Sequence, residues 1–131
     1  MKTNLRYLPL LALALILFNG CQTAPGSDPI VVRAEQLADM AVDTVDTFLK
    51  IEEDNRVMIT SLAPRLGEVA NLLRREFPPA LQKLKDATRA YKSSRTQDMK
   101  TDLSTASAVV EQLRMQAVEQ IAQAKQAQLN P

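Results

Sequence analysis

Apolar side chains recur along this chain at intervals of three and four residues, the period of a helix that buries one face. In a first segment, from Pro29 to about Leu62, the stripe is Val31, Ala34, Ala38, Ala41, Val45, Phe48, Ile59 and Leu62, with no glycine or proline inside it. Asp28 can accept the free N–H groups of the first turn, and Pro29 at the first helical position loses nothing by lacking an N–H. Glu52 and Asn55 fall on the stripe between Phe48 and Ile59, so the pattern allows a bend, a polar partner or a break near Asp54-Asn55. Pro64 then ends or restarts the helix, with Ser61 available as a cap, and Leu66, Val69, Leu73 and Phe77 share the next face. Pro78-Pro79 predicts an interruption, because the second proline biases the first away from helical geometry. A third piece runs from Pro79 to about Lys92 with Leu81, Leu84 and Tyr91 inward, and Ser93-Ser94-Arg95-Thr96 reads as a turn. The last segment, about Gln97 to Gln128, has no helix breaker, and Met99, Leu103, Ala106, Val110, Leu113 and Ala117 step in the alternating fours and threes of a coiled-coil seam, continued by Ile121 and Ala124. That seam serves either an internal bundle core or a coiled coil between molecules.

The segment lengths fit one architecture. At 1.5 Å per residue the first and last helices are each about 50 Å long and the two middle pieces together about 45 Å. The expected fold is therefore all-α, an elongated up-down-up bundle of three arms whose middle arm is broken at Pro78-Pro79, giving four helices over a single domain, residues 28–131. Charge supports neighbouring first and second arms: residues 28–60 hold 8 acidic and 3 basic side chains, whereas 61–95 hold 3 acidic and 8 basic. An antiparallel turn near residue 62 predicts Glu35 opposite Arg89 and Asp39 opposite Lys85.

Ahead of the helices the pattern changes. Lys2 and Arg6 precede an unbroken apolar run, Leu8 to Phe18, which ends in Asn19-Gly20-Cys21. A helix of that run spans only about 16 Å, half of a bilayer's hydrocarbon core, so it suits a transient export signal better than a permanent anchor. In that order of charge, apolar run, small residue and cysteine, residues 1–21 resemble bacterial lipoprotein precursors, with Phe18 and Asn19 departing from the usual leucine and small residue. The resemblance implies a signal peptide over residues 1–20, cleavage before Cys21, acylation of that cysteine, and stable attachment to a membrane through more than one acyl chain. It also implies, from Gln22 rather than aspartate after the cysteine, a place on the outer membrane facing the periplasm when the host has one. Residues 22–27, polar and containing Pro25 and Gly26, read as a linker that holds the domain near the bilayer. The segments DPIVVRAEQ, TFLKIEEDNR and AYKSSR resemble small helical lipoproteins of that group, which implies no activity.

Composition then narrows the function. The 131 residues contain no histidine, a single cysteine and three isolated glycines, Gly20, Gly26 and Gly67. The commonest general base, the imidazole ligands of zinc and a glycine-rich phosphate loop are therefore all missing. The acidic row Glu35, Asp39, Asp43, Asp46 lies along one helix, and a straight helix cannot wrap carboxylates around an ion. The expectation is a protein that is not an enzyme, with no cofactor, no metal and no small-molecule substrate. Lys85, Arg89 and Lys92, with Arg74 and Arg75 before them, form a basic row suited to a partner or to anionic headgroups beside the anchor. Export, and the presence of only Phe77 and Tyr91 as aromatics in this stretch, argue against nucleic acid. The leading expectation is a membrane-tethered binding or scaffolding module of the cell envelope whose partner is another envelope protein or a second copy, through the alanine-rich seam or the basic face. The alternative is a carrier whose helices splay at Pro78-Pro79 around an apolar ligand such as a lipid.

Overall fold

The computed structural model describes residues 27–57, 59 and 63–129, with side chains as far as Gln126. Cys21 and the export segment lie outside these, as do Ser61 and Leu62. Among the described residues the fold is three long helices, α1 (Pro29–Asp54), α2 (Pro64–Ser94) and α3 (Gln97–Leu129), each packed against both others.

The start of α1 follows from two residues. Asp28 stays extended and its Oδ1 accepts a hydrogen bond from the Ile30 N–H at 2.9 Å, while Pro29 occupies the first turn. Val31, Ala34, Ala38, Ala41, Val45 and Phe48 are all buried, and the next buried position on the stripe is Glu52. The helix ends where the polar residues enter that stripe. Asn55 leaves helical geometry, and its backbone N–H and side-chain Nδ2 both donate to the Ile51 carbonyl, at 3.2 and 2.8 Å. An asparagine amide competing for a helical carbonyl in this way is a common reason for a helix to stop. The chain then returns to helical bonding, with the Ile59 N–H on the Asn55 carbonyl and the Ala63 N–H on the Ile59 carbonyl, and Ile59 is buried.

The middle arm is one helix, not two. Its buried face runs Leu66, Ala70, Leu73, Phe77, Ala80, Leu84, Thr88, Tyr91 straight across Pro78-Pro79. Two missing N–H groups leave the carbonyls of Arg74 and Arg75 without their helical donors, and each interior proline costs about 3 kcal/mol in isolation. The expected break does not occur because of where the prolines point. Pro78, Pro79, Arg74 and Arg75 are all exposed, so water can reach the orphaned carbonyls, while Phe77 and Ala80 on either side are held in the core. Half-buried Val69 yields its expected core place to Ala70. At the start of α2 the cap position falls on Ala63, which makes no side-chain cap.

A two-residue turn joins α2 to α3. Arg95 takes the left-handed conformation, φ 39°, and its N–H bonds the Tyr91 carbonyl. Thr96 then caps α3, its Oγ1 accepting from the Met99 N–H at 3.3 Å. In α3 the seam faces inward: Leu103, Val110, Leu113, Ala117 and Ala124 are buried, with Met99 and Ala106 partly so. Past Ala117 the step is three, to buried Gln120, so Ile121 is only partly buried.

The directions are up, down, up. Glu35 pairs with Lys92 and Glu52 with Arg74, which sets α1 and α2 antiparallel. The two-residue connection folds α3 back along α2, so α1 and α3 are parallel, and Ile30, Ala34 and Leu37 share a groove with Lys100, Ser104 and Ser107. The antiparallel direction of α1 and α2 matches expectation, but the register differs by about three residues. Glu35 meets Lys92 rather than Arg89, Arg89 instead bonds Asp86 at 3.0 Å, and no ion pair joins Asp39 to Lys85 among the described residues. With α2 starting at Pro64 the symmetry point lies between 63 and 64, not at 62.

Candidate functional site

The five basic residues of the expected row, all on α2, do not form a free basic surface, because four of them hold carboxylates. Arg74 turns toward the bundle and binds Glu52; Arg75 bonds its neighbour Glu76 at 2.8 Å; Arg89 bonds Asp86; Lys92 bonds Glu35. Lys85 is exposed and lines, with Arg89 and Lys92, the groove between α1 and α2. Arg74 and Lys92 lie on the same side of α2, 18 positions and about 27 Å apart along the helix. A row that looks basic in the sequence is thus largely neutralised by carboxylates of α1 and of α2 itself. Among the described residues no three metal-binding side chains group together, and no helix is long and apolar enough to cross a membrane.

The structure assembles a different polar centre at the far end of α1. Glu52 is 4% exposed, yet carries a carboxylate. Burial alone would raise its affinity for a proton, but hydrogen bonds from Arg74 and Arg56 and the charges of both guanidiniums outweigh that, so its pKa lies below the ordinary value. Arg56 reaches it from one turn later, Nε to Oε1 at 3.3 Å, and Arg74 reaches it across the helix interface. The signal for half of this arrangement was present in the sequence as an i,i+4 Glu-Arg pair; Arg74 needed the register of α2. Two more buried polar atoms lie on α3, the Oε1 atoms of Gln116 and Gln120, which have no hydrogen-bond partner among the described residues.

A groove of about 610 Å³ lies between α2 and α3. Its lining is mostly apolar, with Leu72, Pro79, Ala80, Ala106 and Leu113, and it also carries Glu76, Lys83 and Asp102. It exists because alanines face each other across this interface, leaving space that larger side chains would fill. Gln116 lines one end, though its Oε1 is itself buried. On α3, Arg114 and Glu111 form a close pair, with Arg114 Nη2 to Glu111 Oε1 at 2.6 Å. The hydrogen bond from Arg114 holds the Glu111 carboxyl below its usual pKa against the opposing effect of burial, and the same bond raises the guanidinium's.

Comparison with protein-family models, with curated proteins and with solved structures finds no match to this chain. Its functional reading therefore rests on the residues and geometry above.

Proposed function

We propose that this chain is a lipid-anchored, non-enzymatic helical module of the bacterial cell envelope that holds a protein partner close to the membrane surface. The observation that carries this reading is the order of residues 2–21, a charged start, an apolar run and Gly20-Cys21, followed after six residues by the capped first turn of a packed bundle. Six linker residues reach at most about 20 Å. The end of the bundle that holds the start of α1, the end of α2 and the start of α3 is then the membrane-proximal end. The same resemblance favours the outer membrane, periplasmic side, in a host that has one. The test is the intact mass of the chain recovered from membranes, wild type beside Cys21→Ser. A species that begins at Cys21 with added acyl mass, absent from the variant, is the expected result; an unmodified full-length chain would remove the anchor from the reading.

A second reading draws on the α2–α3 groove. A groove lined largely by apolar side chains suits an apolar ligand such as a lipid, which would make the protein a carrier. It does not depend on splaying at Pro78-Pro79, where α2 is continuous. Lipid co-purifying with the wild type and lost in Ala106→Leu, which fills the groove, supports the carrier; lipid-free protein from membranes speaks against it.

A further inference from the structure

With the internal seam of α3 spent on the core, a second one is left on its opposite side. Ser104, Ala108, Glu111, Met115, Val118 and Ala122 also step by 4, 3, 4, 3 and 4, about 27 Å of helix. Met115 is 49% and Val118 38% exposed, and Ala108 and Ala122 are exposed as well. Elsewhere the outward surface is charged: α1 carries eight exposed charged residues in 26, whereas residues 103–126 carry four charged residues in 24, and two of those, Glu111 and Arg114, neutralise each other. A helix that is apolar on its buried face and poor in charge on its outer one is built to be covered on both.

We propose that the outer face of α3 pairs in parallel with the same face of a second copy of this chain. Charge selects both the partner and the direction. With Ala108, Met115 and Ala122 as first positions of successive heptads and Glu111 and Val118 as fourth positions, Arg114 precedes one heptad and Glu119 is the fifth residue of the next. In a parallel pair those positions face each other, so Arg114 of each copy meets Glu119 of the other, twice by symmetry. Met115 and Val118 pack against their counterparts at the centre. Glu111 meets its own copy, and its bond to Arg114 relieves the repulsion at some cost in stability, as polar residues in such seams generally do. The proposal rests on the anchored reading above, because a parallel pair places both linkers at the same membrane. Only two large side chains contribute, well short of the roughly 800 Å² per partner of a stable soluble complex, so the pairing requires the concentration that a shared membrane provides.

The test is oxidative cross-linking of the full chain in isolated membranes, with cysteine introduced as Met115→Cys, Ala122→Cys or, as an exposed control on α1, Met40→Cys. The chain with Cys21 alone supplies the background. Disulfide dimers are expected at 115 and 122 well above those at 40. Glu119→Gln in the Ala122→Cys background, which leaves the Glu111–Arg114 pair in place, lowers them about fivefold, the effect of losing two exposed ion pairs. Equal dimers at 40 and 115 indicate collision and overturn the proposal, as does a chain that fractionates with membranes yet yields no dimer at either site. Dimers at 115 but not at 122, together with dimers when Ala108→Cys is mixed with Ala122→Cys, would overturn the parallel direction. A chain absent from the membrane fraction instead defeats the anchored reading itself.

Discussion

The sharpest stability prediction concerns Glu52 and Arg74. The Glu52 side chain is 6% exposed and Arg74 36%, and the two are 22 positions apart in sequence, so their contact ties the end of α1 to α2. Arg74→Met keeps the apolar stem and removes the guanidinium, leaving a buried carboxylate with Arg56 alone, at 3.3 Å and on a side chain that is 58% exposed. A hydrogen bond to a charged group contributes about 1.5–3 kcal/mol, and the partial exposure of Arg74 lowers that to about 1–2 kcal/mol. For a domain of this size the loss corresponds to a fall in Tm of roughly 4–16 °C. Replacing both partners, Glu52→Met with Arg74→Met, removes the stranded charge as well and should recover most of the loss, because a well-packed apolar pair can equal a buried ion pair. Thermal unfolding followed by circular dichroism gives all four corners of the cycle. The sign with pH follows from the lowered pKa of Glu52, whose ordinary value is 4.5. The contribution is complete above that value and is lost as pH falls through the lower folded one, so wild type and Arg74→Met should converge in acid. An Arg74→Met variant as stable as wild type at neutral pH, or a gap that widens in acid, would refute the reasoning.

Three other outcomes follow from the fold. Changing Pro78 and Pro79 together to alanine should raise stability by about 2 kcal/mol or more, since interior prolines cost more in a helix than they save in the unfolded chain; a lower Tm would mean that the prolines set a bend the bundle needs. Phe48→Ala, at a fully buried position, should cost about 3–5 kcal/mol, and a cost below 1 kcal/mol in chemical denaturation would place Phe48 outside the core. Arg95→Gly should stabilise by about 0.5–1 kcal/mol, because glycine adopts the left-handed conformation at this cap without penalty, and the Tm should rise accordingly.

What the sequence by itself determined here is local. Helical periodicity identified the buried face of α1 from Val31 to Phe48 and the inward seam of α3 from Met99 to Ala117, because burial of a 3.6-period stripe leaves the same mark whatever it packs against. Asp28-Pro29 marked the start of α1, since capping uses residues adjacent in sequence. Charge segregation indicated which arms run side by side in opposite directions. Tertiary packing decided the rest. Whether Pro78-Pro79 breaks a helix depends on which way the prolines face, and Phe77 and Ala80 are held in a core that no local rule contains. The three-residue difference in register, and with it the pairing of Glu52 with Arg74 and of Glu35 with Lys92, depends on where a connection turns, to which a charge pattern repeating along both arms is nearly indifferent. The same holds for the candidate surfaces: the basic row was legible as charge, but only the neighbouring carboxylates showed it to be neutralised, and the outer seam of α3 became visible only once the inner one was seen to be occupied.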